Sequence, residues 1–181
     1  MDRPDLNTDV CYSGGAAGSD YLWASMAQHA GFQVINFSFE GHDCHSIGDR
    51  VVLNKADLSI PDRFLKSIAK KLGKPFPLKT EHNTNLIRRN YYQIVATQAV
   101  YAIGTLDGEY VQGGTGWAIE LARERHIPIY LFDIGTYSWW QCNIDLFGTG
   151  WTRCLEDPPH PKNMWTDIGS RKIPTDVAVR V

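Results

Sequence analysis

The fold is decided by the stretch Asp9-Val10-Cys11-Tyr12-Ser13-Gly14-Gly15-Ala16-Ala17-Gly18, a short apolar run that leads directly into a glycine-rich turn. Apolar residues then recur at helical spacing from Ser19 to Ala30, and residues 33–39 form a second apolar run. A strand, a short loop, a helix and a strand make a βαβ unit. Such a unit requires a parallel sheet with a right-handed crossover.

The same rhythm returns in the second half of the chain. The pattern predicts a helix over 86–95, a buried strand over 99–103, a loop over 104–115, a helix over 116–125 and a strand over 127–132. An apolar segment over 165–171 closes the pattern. The sequence therefore predicts an α/β protein with a Rossmann-like, doubly wound, mainly parallel sheet and helices on both faces.

The composition indicates one folded domain, 1–181, with an insertion at about 40–81. The chain has 181 residues, of which 43% are hydrophobic and 21% are charged, and this balance excludes a disordered protein. The formal net charge of −2 disfavours a protein held to nucleic acid by counterion release, so we expect no nucleic-acid partner. Within the insertion, Pro61 begins a predicted helix that carries Phe64, Leu65 and Ile68 on one face.

The sequence also predicts the cellular compartment, the metal and cofactor content, and the oligomeric state of the protein. No apolar stretch is long enough for a membrane span and the N-terminus has no leader pattern, so we expect a cytoplasmic protein. Its four cysteines are scattered, as is typical of a reducing compartment. His42, Cys44 and His45 have no second ligand pair at suitable spacing, so we expect no metal and no cofactor. We expect a homo-oligomer, a dimer or higher.

Two glycine-rich loops each follow a predicted strand and precede a predicted helix. The first is Gly14–Gly18 and the second is Gly113-Gly114-Thr115-Gly116. Glycine lets consecutive N–H groups point at one anion, and the following helix adds its positive end. Either loop alone could be a tight connection without a ligand. Two such loops at the carboxyl edge of one sheet favour a ligand that bears phosphate.

These motifs resemble those of a known superfamily. Arg89, the strand before Gly104, and the segment from Gly113 to Glu120 resemble the Arg and PGGxGTxxE signature of the Lonely Guy phosphoribohydrolases. The upstream segment Tyr12–Gly18 is similar to their YGGGxxGLMG loop. The resemblance covers about 9–37 and 82–134 and extends to the wider SLOG superfamily, which includes DprA-like nucleotide-binding domains.

The resemblance implies residue roles. Gly113, Gly114, Thr115 and Gly116 would hold a phosphate, while Glu120 and Arg89 match the catalytic pair, with Arg88 as a second candidate for the Arg. Glu120 would then face the same pocket and stabilise an oxocarbenium-like state. The residues themselves add that Trp117 could stack on a base, and that Asp20 either contacts a ribose hydroxyl or caps a helix. The whole predicted ligand-binding set is Ser13, Gly14, Gly15, Ala16, Gly18, Asp20, Arg89, Asn90, Gly113, Gly114, Thr115, Gly116, Trp117, Ser170 and Arg171.

Two functions follow from this set. The first is a protein that binds AMP, ADP-ribose, cyclic ADP-ribose or a cyclic nucleotide as a sensor or a sequestering protein, including a viral sponge of immune signalling nucleotides. The second is a Lonely Guy-like phosphoribohydrolase that cleaves the N-glycosidic bond of a nucleoside monophosphate. The sequence favours binding, because Gln112 replaces the proline of the family loop and Trp117 replaces its threonine.

Overall fold

The fold is described here from a computed structural model, which covers residues 9–45, 47–144 and 150–169. Its elements, in chain order, are β1 (Val10–Ser13), α1 (Ser19–His29), β2 (Gln33–Phe39), β3 (Asp49–Leu53), α2 (Lys55–Ser59), α3 (Asp62–Leu72), α4 (Glu81–Val95), β4 (Ala99–Gly104), β5 (Leu106–Asp107), β6 (Tyr110–Val111), α5 (Gly113–Glu124), β7 (Ile129–Asp133), β8 (Ser138–Cys142), β9 (Trp151–Arg153) and β10 (Met164–Gly169).

Eight of the strands form one sheet in the order β3-β2-β1-β10-β4-β7-β8-β9. The neighbours from β3 to β7 are parallel, and β8 and β9 continue the sheet in antiparallel pairs. The connection after β1 leads to β2, toward one edge of the sheet, and the connection after β4 leads to β7, toward the opposite edge. The predicted α/β class with a mainly parallel, Rossmann-like sheet is confirmed.

The strand β10 lies in the middle of the sheet. Its Trp165 pairs with Cys11 of β1, and its Ile168 pairs with Ala102 of β4. A strand buried on both faces is usually apolar along its whole length, but Met164–Gly169 also buries the polar residues Thr166 and Asp167. The predicted ligand contacts Ser170 and Arg171 follow this strand but lie outside the described residues.

Alternate residues of the central strands pack on opposite faces of the sheet. Val100 and Ala102 of β4 belong to the cluster covered by α3, α4 and α5. Tyr101 and Ile103 belong to the cluster covered by α1. Both clusters contain residues of β4, β7 and β10, so the sheet is the common wall of two apolar cores.

The insertion joins the fold rather than standing apart from it. The helix predicted after Pro61 is α3, which ends at Gly73 in a left-handed cap (φ 61°) and packs on α5. The edge strand β3 and the short helix α2 were not predicted. In the second half, a small β5–β6 hairpin occupies the predicted loop, and α5 begins three residues earlier than expected, at Gly113.

No helix in the described part of the chain has both the length and the apolar content that crossing a bilayer requires.

Candidate functional site

A cavity opens where the carboxyl ends of β4 and β10 meet the helices α1, α4 and α5. This is the point at which the connections leave the sheet in opposite directions, the usual ligand position in an open parallel sheet. Its volume is about 1090 Å³. The lining residues are Ala16, Asp20, Lys74, Leu78, Asn83, Leu86, Ile87, Arg89, Asn90, Gln93, Gly104, Thr105, Gln112, Gly113, Gly114, Thr115, Trp117, Ile134, Ile168 and Gly169.

Most of the predicted ligand-binding residues converge on this cavity, and some do not. Those that line it are Ala16, Asp20, Arg89, Asn90, Gly113, Gly114, Thr115 and Trp117. Those that do not line it are Ser13, Gly14, Gly15, Gly18 and Gly116, and the predicted catalytic residue Glu120 does not line it either.

The first glycine loop is filled by the protein's own side chains. Arg89 Nη1 donates a hydrogen bond to the carbonyl oxygen of Gly14, and a methyl group on Gly14 would overlap that guanidinium. The Sγ of Cys44 lies where a side chain on Gly15 would stand, and Gly15 has a φ of 63°. Gly18 also has a positive φ, 102°, where the chain enters α1. Glycine is therefore needed here for close internal packing.

Arg89 and Asp20 form a buried pair at the wall of the cavity. Arg89 Nη2 lies 3.8 Å from Asp20 Oδ2, and both side chains are 7% exposed. Asp20 Oδ2 also accepts a hydrogen bond from Ala16 N at 3.4 Å, so this carboxylate braces the loop before its own helix. The neighbouring Arg88 instead makes a two-pronged ion pair with Asp62, with both N–O distances 2.7 Å, and does not line the cavity.

Behind this pair lies Asp167, a fully buried carboxyl group that the sequence analysis missed. Ser13 Oγ donates to its Oδ1 at 3.1 Å, and Cys11 Sγ donates to its Oδ2 at 3.6 Å. Burial and the nearby charge of Asp20 raise the pKa of Asp167 well above its ordinary value, although Ser13, Cys11 and Arg89 oppose them. An aspartate inside an apolar strand segment was the available signal, because a buried carboxyl group needs such partners.

The second glycine loop leaves its first residues open. Gly113 and Gly114 are exposed at the start of α5, which has no side-chain cap at Gln112. A methyl group on Gly114 would contact only Ile87 Cδ1, at 3.7 Å. A methyl group on Gly116 would overlap the carbonyl oxygen of Val111, so that glycine serves the packing of α5 against the hairpin. Only the first part of the loop presents open backbone to the cavity.

Trp117 and Glu120 follow on α5 and are both engaged within the protein. Trp117 is 2% exposed and packs against Phe76, with ring centroids 6.0 Å apart, so little of its ring is available to a base. Glu120 Oε1 accepts a hydrogen bond from Arg123 Nη1 at 2.7 Å in a buried pair. Burial raises the pKa of Glu120, while the guanidinium of Arg123 opposes that rise.

Arg123 shows what this buried pair stabilises. Its Nη2 donates to the carbonyl oxygen of Glu109 at 3.0 Å, its Nε donates to Cys142 Sγ at 3.2 Å, and its guanidinium lies 5.1 Å from the Trp151 ring centroid. The pair therefore ties the hairpin and β8 to α5. Glu120 lies outside the cavity, contrary to the expectation that it faces the same pocket.

Two further polar residues of the cavity were not predicted. Gln93 is 1% exposed, and its Nε2 donates to the carbonyl oxygen of Asp167 at 3.0 Å. Its Oε1 has no hydrogen-bond partner among the described residues. Lys74 contributes a half-buried cation after the left-handed cap of α3. Gln93 lies on the α4 face that carries Arg89 and Asn90, and this helical spacing could have revealed it.

The described residues contain no cluster of three or more groups that could hold a metal ion. His42 hydrogen-bonds with Ser38 through Nδ1 at 3.0 Å and stacks on Phe39, and His45 pairs with Asp43.

Comparison of this chain with protein-family models, curated proteins and solved structures finds no match.

Proposed function

We propose that this chain binds a phosphate-bearing, nucleotide-derived small molecule in the cavity at the carboxyl ends of β4 and β10, as a sensor or a sequestering protein. The observation that carries the proposal is the start of α5. There Gly113 and Gly114 line the cavity without a side-chain cap, and the helix contributes N–H groups and a positive end.

The remaining wall suits a nucleotide better than a bare phosphate ion. Lys74 adds a cation, and Asn83 and Asn90 add amides that can donate and accept hydrogen bonds. Leu78 and Leu86 add apolar surface. The volume of about 1090 Å³ is slightly above the usual range for small-molecule sites, about 300–1,000 Å³. Apolar walls with a few polar groups are typical of sites that hold a flat base together with a charged group.

The resemblance to Lonely Guy and SLOG proteins supports the same ligand class. The position of Glu120 favours binding over hydrolysis, because a hydrolase of that kind needs its carboxylate beside the scissile bond. Here Glu120 pairs with Arg123 and does not line the cavity. We therefore assign the phosphoribohydrolase reaction second place.

Titration calorimetry with AMP, ADP-ribose, cyclic ADP-ribose and a cyclic mononucleotide tests the proposal. The wild-type chain should bind at least one of them, and Gly114→Ala should weaken that binding by about tenfold or more because the new methyl group stands at the helix terminus. Gly150→Ala is the matched control, since a methyl group there meets only Asn143 Nδ2 at 3.9 Å, away from the cavity. If no nucleotide binds, the proposal is wrong.

Prolonged incubation with the bound nucleotide, followed by chromatography, distinguishes the two functions. We expect the ligand to be recovered intact after the protein is denatured. Free base that accumulates with wild-type protein and not with Glu120→Gln would establish the hydrolase instead.

A further inference from the structure

A groove of about 590 Å³ lies beside β7 and β8, on the face of the sheet that α1 covers elsewhere. The helix α1 packs mainly on β1, β2 and β10, so the groove is bordered instead by the segment that follows β9. Cys154 N in this segment donates a hydrogen bond to the carbonyl oxygen of Trp139 at 2.9 Å. The groove shares no lining residue with the nucleotide cavity, and it is therefore a separate place to look for a ligand.

Three aromatic rings line this groove. Phe132 is buried, and the rings of Tyr137 and Trp139 stand at 78° and 82° to it, with centroids 6.2 Å and 5.4 Å from its own. Phe132 and Trp139 are paired across β7 and β8, so the sheet register holds both side chains on one face. Tyr137 precedes β8 and is 52% exposed. The rings therefore border one space from different directions, as in the aromatic cages that hold cations.

Two carboxylates line the same groove. Glu156 and Asp157 are both exposed, and neither forms an ion pair with another residue that the structure describes. Arg153 also lines the groove, but it is paired with Trp140 across β8 and β9, so its side chain leaves from the face opposite to Trp139. The groove therefore carries negative charge beside its aromatic rings.

This combination favours a particular kind of cation. An aromatic face attracts a cation that lies within about 6 Å of the ring centroid. A primary ammonium group has three N–H donors, and aromatic rings do not replace the acceptors that these donors lose on leaving water. A quaternary ammonium group has no N–H donor to satisfy, and its methyl groups pack against the rings. Nearby carboxylates add an attraction that salt screens.

We propose that this groove binds a small molecule that carries a quaternary ammonium group, a class represented by choline. Phe132, Tyr137 and Trp139 contact its methyl groups, and Glu156 and Asp157 supply the opposite charge. The volume of about 590 Å³ falls within the range of about 300–1,000 Å³ that is typical of small-molecule sites, and this favours a small molecule over a peptide. The site does not depend on the nucleotide cavity.

Calorimetry with choline tests the proposal against two analogues. The neutral analogue, in which carbon replaces the nitrogen of choline, keeps the shape without the charge, and ethanolamine keeps the charge but has N–H donors. Choline should bind at least about fivefold more tightly than either analogue. Equal binding of the neutral analogue would overturn the recognition of a cation. Failure of choline to bind at millimolar concentration would overturn the proposal, and a trimethyllysine peptide that binds in its place would identify a peptide as the occupant.

Variants locate the site. Tyr137→Ala should weaken choline binding by about fivefold or more, because it removes one exposed ring, while Tyr137→Phe should retain binding. Tyr110→Ala is the matched control, since Tyr110 is another exposed tyrosine and does not line the groove. If Tyr137→Ala binds choline as tightly as wild type, the assignment to this groove is wrong.

The carboxylates are tested by a double variant, Glu156→Gln with Asp157→Asn. It should weaken choline binding by a smaller factor, about twofold to threefold, and the difference should shrink as salt is added because both side chains are exposed. An unchanged affinity at low salt would show that the carboxylates do not contribute. Nucleotide binding by all of these variants should equal that of wild type, so the outcome is independent of the proposed function.

Discussion

The two glycine loops have the same sequence character and different uses. In the first loop, the space beside Gly14 is taken by the guanidinium of Arg89, and the space beside Gly15 is taken by Cys44. In the second loop, Gly113 has no atom near its Cβ position and Gly114 has only Ile87. A missing side chain provides space, but the rest of the fold decides whether the protein or a ligand occupies it.

The variant with the largest expected effect is Arg89→Ala, which would empty the space beside the first loop. It removes the donor to Gly14 and leaves the buried Asp20 without its cation, so the free energy of unfolding should fall by about 3–5 kcal/mol. Arg88→Ala is the control and should cost less, about 1–2 kcal/mol, because its two-pronged pair with Asp62 is partly exposed to solvent. Urea unfolding measures both variants, and equal losses would contradict the distinction between the two arginines.

Gly116→Ala tests the part of the second loop that is packed internally. Alanine normally stabilises a helix relative to glycine, but here its methyl group would overlap the Val111 carbonyl oxygen. We expect a loss of about 1–3 kcal/mol in the free energy of unfolding, measured by chemical denaturation. A stabilised Gly116→Ala protein would show that the hairpin can move away from α5 without cost.

Asp167→Asn tests the buried carboxyl group that accepts hydrogen bonds from Cys11 and Ser13, next to the first glycine loop. The raised pKa of Asp167 means that the folded protein retains a proton which the unfolded chain releases, so this carboxyl group lowers stability progressively as the pH rises above its unfolded pKa. Asparagine has no such proton to lose. The melting temperature of the variant relative to wild type should therefore rise as the pH increases above the unfolded pKa of Asp167, until the pH passes its raised folded pKa. A pH-independent difference would show that the carboxyl group is ionised in the folded state.

The smallest expected change in stability is that of Gly114→Ala. The new methyl group meets only Ile87 at an ordinary contact distance, and alanine suits a helix better than glycine, so stability should stay equal or rise by up to about 1 kcal/mol. Differential scanning fluorimetry measures this change. A large loss of stability would mean that the second loop is packed as closely as the first.

The local parts of the fold were predictable from the sequence, and the long-range parts were less so. β2 spans the predicted residues 33–39, because an apolar run that follows a glycine loop and an amphipathic helix has few other solutions. β3 was missed because its sequence, Asp49–Leu53, does not alternate apolar and polar residues: Val51 and Val52 are adjacent, and both are exposed at the sheet edge. The central position of β10 depends on pairing between residues about 150 positions apart, which no local pattern encodes.

The candidate site likewise has features that the sequence predicts and features that it does not. The convergence of Asp20, Arg89 and Gly114 on one cavity follows from the two loops and the helix between them. The position of Glu120 was not predicted, although Arg123, three residues later on the same helix, was a local signal that the carboxylate could be paired within α5. Asp167 could not be assigned a role either, since its partners Cys11 and Ser13 come from the other end of the chain.

The central strand β10 has a consequence for how the chain is made. During synthesis, β1–β3 and β4–β7 leave the ribosome before residues 164–169 do, and neither group can pair with the other until β10 arrives between them. Until β10 is synthesised, the two nascent halves therefore expose unpaired strand edges, and such edges promote aggregation. Closing the sheet is a late event of high contact order, so the cavity is assembled only when nearly the whole described chain has emerged.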